Sequence, residues 1–182
     1  MKKIILDRAQ ASFSKCGLYR WWLERDISLV EKKLLFIGLN PSLADEENND
    51  PTTTRLINFA SSWDYGTLLI INLFARISPK PILLKKTPDP VGSRNNLEIL
   101  SRLNCWEKNQ NWDLWLGWGS KGCIANRNKY LINILKSFLK RRIEKFDKAQ
   151  GPLVIGLTKN GNPMHPLYVS SKKKLRPLNI LS

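Results

Sequence analysis

The chain has 182 residues, of which 42% are apolar, enough for one globular domain, residues 1–182, with a sizeable core. No stretch approaches the roughly 18 uninterrupted apolar residues of a membrane helix, and "MKKIILDRAQ" meets Asp7 and Arg8 before a signal-peptide core could form, so a soluble, cytoplasmic protein is expected. The net charge of +15 is unevenly placed: residues 1–120 carry net +3, and residues 121–182, with 14 basic and two acidic groups, carry net +12. A field of that sign attracts polyanions, because each Lys or Arg near a phosphate releases condensed counterions; nucleic acid, DNA first, or a nucleotide is the expected partner, against a passive basic surface. Cys16, Cys105 and Cys123 are odd in number and far apart, with no Cys-x-x-Cys and no nearby histidine, which argues for reduced thiols and neither metal nor cofactor.

In chain order, a short helical segment is expected over about 12–30, around "LYRWWLERDI". The apolar run "LLFIGL" (34–39) then breaks off in "GLNPS". "DPTTTRLINFASSW" offers Asp50 as N-cap and Pro51 at the first helical position, predicting a helix over about 51–63. "TLLIINLF" (67–74) is the second apolar run, and "SRNNLEILSRL" can start a helix at Ser93. "WDLWLGW" (112–118) is the third. "NRNKYLINILKSFLKRRI" repeats apolar residues at Leu131, Ile134, Leu135 and Phe138, with cations gathered near its end, where the helix dipole favours them. "LVIGLT" (153–158) is the fourth run, and residues 171–182 read as a loosely held basic tail. The four runs are continuous rather than alternating, as strands covered on both faces should be. Strand and helix alternate, predicting an α/β three-layer sandwich on a four-stranded, mostly parallel sheet.

Each predicted strand ends in a small, polar or glycine-containing stretch, and in open parallel sheets the ligand crevice lies beyond the carboxyl ends of the strands. Gly38, Asn40, Pro41 and Ser42 follow the first strand and Asn72 closes the second. Trp118 and Gly119 follow the third; Thr158, Lys159, His165 and Tyr168 follow the fourth. Pro41 has no amide hydrogen, so it ends the ladder and fixes the loop that carries Asn40. Thr158, Lys159, Gly161 and His165 would also suit a phosphate. Asp50 reads mainly as a helix cap, while Asp45, Arg55 and Arg76 are further charges near the strand ends. Lys136, Lys140, Arg141 and Arg142, with Lys172, Lys173, Lys174 and Arg176, are the candidate phosphate contacts. A base-stacking aromatic would come from Trp63, Tyr65, Phe74 or Tyr168.

"FSKCGLYRWWLER", "GLNPSLADEENNDPTTTRLINFA", "YGTLLIINLFAR", "DPVGSRNN", "WGSKG" and "GLTKNGNPMHPLY" together resemble the uncharacterised bacterial family called domain of unknown function 1643, over roughly residues 12–169. A more distant resemblance is to the uracil-DNA glycosylase superfamily, whose Gly-x-Asp/Asn-Pro motif, strand ending in Asn, Leu-Trp-Gly strand and His-Pro loop have counterparts in the same order. Here these are Gly38-Leu39-Asn40-Pro41, "LLIIN" ending at Asn72, Leu116-Gly117-Trp118-Gly119 and His165-Pro166. That resemblance implies a glycosylase-like fold and hydrolysis of an N-glycosidic bond of a flipped base, or a non-catalytic nucleic-acid or nucleotide binder on the same fold. It assigns water positioning to Asn40, base reading to Asn72, and a hydrogen bond to the leaving base to His165. The stretch "TKNGNPM" and the Leu167-Tyr168 pair after His165-Pro166 depart from the glycosylase pattern.

Overall fold

The computed structural model describes residues 9–181; the eight N-terminal residues, on which the expectation of no leader rested, lie outside them. Seven strands form one sheet: β1 (Ala9–Phe13), β2 (Arg20–Asp26), β3 (Lys33–Gly38), β4 (Thr67–Asn72), β5 (Trp112–Leu116), β6 (Pro152–Val154) and β7 (Arg176–Pro177), in the order β1-β2-β4-β3-β5-β6-β7. The four expected strands are its centre, β4-β3-β5-β6, and they are mutually parallel. The four-stranded expectation is corrected at both edges, where β1, β2 and β7 add antiparallel strands.

The correction at the first edge overturns the helical segment over 12–30. In β2, Trp21, Leu23 and Arg25 are buried while Trp22, Glu24 and Asp26 are half-buried, which is the period of a strand. At the other edge the basic tail is anchored rather than loose: Leu178 N–H donates to the Pro152 carbonyl at 2.8 Å, and Ile180 joins the core. Lys172, Lys173 and Lys174 remain exposed on it.

Three helices cover the sheet. α1 (Pro51–Ser62) starts where expected: Asp50 Oδ1 accepts from Thr53 N–H at 2.7 Å, and Pro51 takes the first turn, where no N–H is needed. α2 (Asn95–Lys108) begins two residues after Ser93, in a turn closed by Asn95 N–H on the Gly92 carbonyl. α3 (Arg127–Lys145) buries Leu131, Leu135 and Leu139. Leu56, Phe59 and Ala60 of α1 pack on one face of the sheet with Phe36, Ile70 and Trp115; α2 and α3 cover the other, with Ile99, Leu103 and Trp106 against Leu35, Ile71 and Leu114. No helix among the described residues is long and apolar enough to cross a membrane.

That connectivity positions the site. The chain leaves β3 for α1 on one face and leaves β5 for α3 on the other, so the loops beyond these neighbouring strands diverge. A crevice at such a switch point opens at the carboxyl ends of β3 and β5.

Candidate functional site

A cleft of about 510 Å³ occupies this position, within the size range of small-ligand sites. Gly38, Asn40, Ser42, Asn72, Trp118, Gly119, Thr158, His165 and Tyr168 line it, so nine of the eleven expected ligand residues meet there. Pro41 is buried behind the wall, and Lys159 is exposed outside it.

Asn40 is held by both hydrogens of its amide: Nδ2 donates to the Pro41 carbonyl at 2.8 Å and the Ser78 carbonyl at 2.7 Å. Two acceptors on one amide group fix its orientation, so the atom Asn40 offers a ligand is Oδ1, an acceptor. Pro41 serves this clamp through its carbonyl, which also receives Ser78 N–H at 3.0 Å.

Asn72 presents the opposite chemistry. Its backbone carbonyl accepts from Asn95 Nδ2, while its own Nδ2, on a residue 4% exposed, is buried without a partner. Gly38 makes room for this side chain, since a Cβ there would stand 2.7 Å from Asn72 Oδ1.

His165 sits on the loop after β6. Leu157 and Pro163 form an antiparallel bridge, Thr158 N–H donates to the Asn162 carbonyl, and Gly119 N–H donates to the Pro163 carbonyl at 2.8 Å, zipping the loop to the end of β5. Gly119 has φ +70° and lies against His165, where a Cβ would meet the histidine Cβ at 3.3 Å. Leu167 N–H donates to His165 Nδ1 at 3.3 Å. The ring proton is therefore on Nε2, and the neutral imidazole is a hydrogen-bond donor there.

Burial pushes the His165 pKa below its ordinary 6.5, outweighing the charge of Asp50, which acts upward. The unfolded chain then binds this proton first, so stability from His165 is complete above about 6.5 and declines as pH falls below that value. In ¹⁵N NMR, His165 is expected as the neutral Nε2–H tautomer at pH 7, with its titration midpoint below 6.5; a midpoint above 6.5, or the Nδ1–H tautomer, would contradict the assignment.

The expected phosphate cradle in "TKNGNPM" does not stand open. Asn162 N–H already donates to Thr158 Oγ1 at 3.1 Å, Gly161 N–H to the Thr158 carbonyl, and Asn162 Oδ1 receives Trp118 Nε1–H and Asn128 Nδ2–H. Of the four aromatic candidates, Tyr168 reaches the cleft, 83% exposed, its ring 5.7 Å from that of His165. Phe74 is core, Trp63 packs on Phe59, and the Tyr65 hydroxyl bonds Asp113 near the opposite end of the sheet. Phe36, not singled out in sequence, lies in the cleft wall, edge-on to Trp115.

The basic residues divide. Arg142 is 0% exposed and donates to the carbonyls of Trp106, Asn109, Trp112 and Gln150, so its reading as a phosphate contact is corrected: it is a core staple. Its acceptors lie before or at the starts of β5 and β6, which places the end of α3, with Lys140 and Arg141, at the edge opposite the cleft. Arg141 Nη2 pairs with Glu107 at 2.6 Å, and Lys136 is half-buried midway along α3. Lys173, Lys174 and Arg176 instead gather around a second hollow beside Ile155, Leu157 and Met164, next to the cleft. Arg55 holds the Val169 carbonyl, and Arg76 lies over the Tyr19 ring. Asp45 Oδ1 caps a turn by accepting Glu47 and Asn48 N–H, bonds that hold its carboxyl below the usual range.

Charged cleft residues went unread as ligand groups in sequence, Asp50, Arg20 and Lys121 among them. Asp50 caps α1 and is also the one carboxylate among the described residues lining the cleft. Arg20, buried in β2, lines it as well. Among the described residues no group of three or more His, Cys, Asp or Glu could hold a metal.

The chain belongs to a family whose own description is protein of unknown function, DUF1643, matched over residues 20–167. No curated protein and no solved structure matches it significantly.

Proposed function

We propose that this chain hydrolyses the N-glycosidic bond of a base flipped out of nucleic acid, in the manner of the uracil-DNA glycosylases whose motif order it resembles. The observation that carries this reading is the pairing, in one cleft, of a fixed acceptor and a fixed neutral donor: Asn40 Oδ1, clamped by Pro41 and Ser78, and His165 Nε2–H, set by Leu167. In such a reaction the glycosidic electron pair leaves with the base. Water bonds to the sugar carbon and its proton passes through solvent to the departing base anion, while the charge growing on a base oxygen is met by a preorganised donor. His165 supplies the donor, Asn40 orients the water, and the free Nδ2–H₂ of Asn72 reads an acceptor on the base edge. Trp118 and Gly119 wall the base side, Ser42 and Thr158 contribute hydroxyls, and Tyr168 stands at the mouth.

The assay is base release from oligonucleotides carrying uracil, mismatched thymine or other altered bases, read as alkali-labile sites. Release is expected from at least one of them; none from any sinks the enzymatic reading. Asn40 can orient a water but cannot take its proton, which favours a second reading, a non-catalytic nucleic-acid or nucleotide binder on the same scaffold.

Where the ligand is a strand, it runs past the cleft, so its phosphates fall to Lys172, Lys173, Lys174 and Arg176 rather than to Lys140 and Arg141. Reversing the charge of Lys172, Lys173 and Lys174 is expected to reduce the log–log salt slope of duplex binding by about 2 to 3, near 0.9 for each phosphate no longer neutralised. Reversing Lys140 should leave it unchanged. The opposite pattern would move the interface to α3.

A further inference from the structure

Arg20 is 3% exposed and lines the cleft, yet it has little to hold. Its Nη1 donates to the Ala44 carbonyl at 2.6 Å, its Nε is buried without an acceptor, and among the described residues no carboxylate lies within 4.0 Å of it. Burial lowers its pKa to about 10, against the attraction of Asp50. A buried cation with unmet donors is costly unless something negative meets it. The unpartnered Asn72 Nδ2 is a second unmet donor in the same cleft.

Both sit at one end of the cleft. Arg20 N–H donates to the Ala75 carbonyl, placing this residue beside the end of β4, whereas His165 rests on Gly119 beyond β5. In the order β2-β4-β3-β5 the ends of β4 and β5 are two strand spacings apart, about 10 Å at roughly 4.8 Å per strand, and Arg20, on β2, lies one strand further out. The cleft thus has a buried guanidinium at one end and the neutral donor of His165 at the other, where the exposed Lys121 also lines the wall, with Asn40 between them.

We infer that Arg20 is an anion-binding residue and that the ligand is a phosphorylated nucleotide lying along the strand ends, its phosphate at Arg20 and its base toward His165. The placement of the base rests on the function proposed above; the anion site does not. A guanidinium suits this task because its planar fork matches phosphate oxygens. A purely structural Arg20, tying β2 to the loop at Ala44, would need Nη1 alone. Asp50 opposes an anion, so Asp50→Asn, which keeps a good helix cap, should tighten phosphate binding.

Calorimetry on the full chain at low salt decides, with deoxyuridine, its 5′-monophosphate, inorganic phosphate and a short single-stranded oligonucleotide as probes. The monophosphate is expected to bind at least about tenfold tighter than the nucleoside. Arg20→Gln should abolish that difference, and Asp50→Asn should enlarge it. A strand that binds more tightly than the mononucleotide identifies a diester as the source of the phosphate; the reverse order identifies a free nucleotide. Equal affinity for nucleoside and monophosphate, no binding of any probe, or a difference that survives Arg20→Gln would overturn the inference. Should Arg20→Gln not fold, an Asp50→Asn protein with unchanged monophosphate affinity overturns it instead. Failure of base release alongside phosphate-dependent binding would remove catalysis and leave the anion site standing.

Discussion

Arg142→Met is expected to lower the unfolding free energy by about 3 to 5 kcal/mol, because it strips the donors from several buried carbonyls at once. The guanidinium reaches the Trp106 and Asn109 carbonyls from Nη1, Trp112 at 2.8 Å from Nη2 and Gln150 at 3.2 Å from Nε, gathering the end of α2 and the approaches to β5 and β6. Each orphaned carbonyl costs roughly 1–3 kcal/mol, partly offset by burying methionine. Against a typical total of about 5–15 kcal/mol, this is a large share. Lys140→Met, two positions earlier on the exposed side of α3, should stay within about 0.5 kcal/mol. Urea unfolding of the two variants measures both numbers, and equal midpoints would mean that Arg142 is no staple.

Arg142 also explains what could be read in the sequence and what could not. The central strands were legible because strands covered on both faces carry unbroken apolar runs, and α1 was legible because Asp50 and Pro51 are local signals whose chemistry needs no tertiary partner. β2 was not. Its alternation is real, but Arg20 and Arg25 occupy buried positions, and "WWL" fills both faces with apolar groups, so the pattern resembles an amphipathic helix. Those arginines are buried because they serve the loop after β3: Arg20 bonds the Ala44 carbonyl, and Arg25 bonds the Asp45 carbonyl and Asn49 Oδ1 at 3.0 Å. An arginine buried against distant carbonyls looks, in sequence, like any surface charge. The same reason put Arg142 among the phosphate contacts.

The site was more legible than its edges. Gly38, Asn40, Asn72, Gly119 and His165 meet because parallel strands bring their ends to one side whatever the intervening helices do. The states of those groups depended on partners remote in sequence. Ser78 decides which end of the Asn40 amide faces a ligand. The internal bonding of residues 158–162 closes the cradle that Thr158, Lys159 and Gly161 suggested.

If the cleft is catalytic, His165→Ala should cost roughly 2.7 to 4 kcal/mol of transition-state stabilisation, about 10² to 10³ in the rate of base release, the range for losing one preorganised donor to a developing oxyanion. Affinity for the intact strand should change little, because the ring meets charge that exists only as the bond breaks. His165→Gln is the sharper variant: it keeps a donor but loses the acceptor for Leu167 N–H, so a partial rescue would separate donation from loop anchoring. Asn40→Ala should cost a similar amount by releasing the water. Asn40→Asp changes the sign of the experiment, since a carboxylate keeps an acceptor and can take the water's proton. Its Oδ2 would, however, face the Pro41 and Ser78 carbonyls that now receive Nδ2–H, at 2.8 and 2.7 Å, and that repulsion should displace the side chain. The double variant His165→Ala, Asn40→Ala should fall short of the summed losses, because both residues act on one transition state. Single-turnover release measured beside strand affinity decides: if both single variants lose binding and rate in equal proportion, the residues only hold the ligand and the cleft is a binding site.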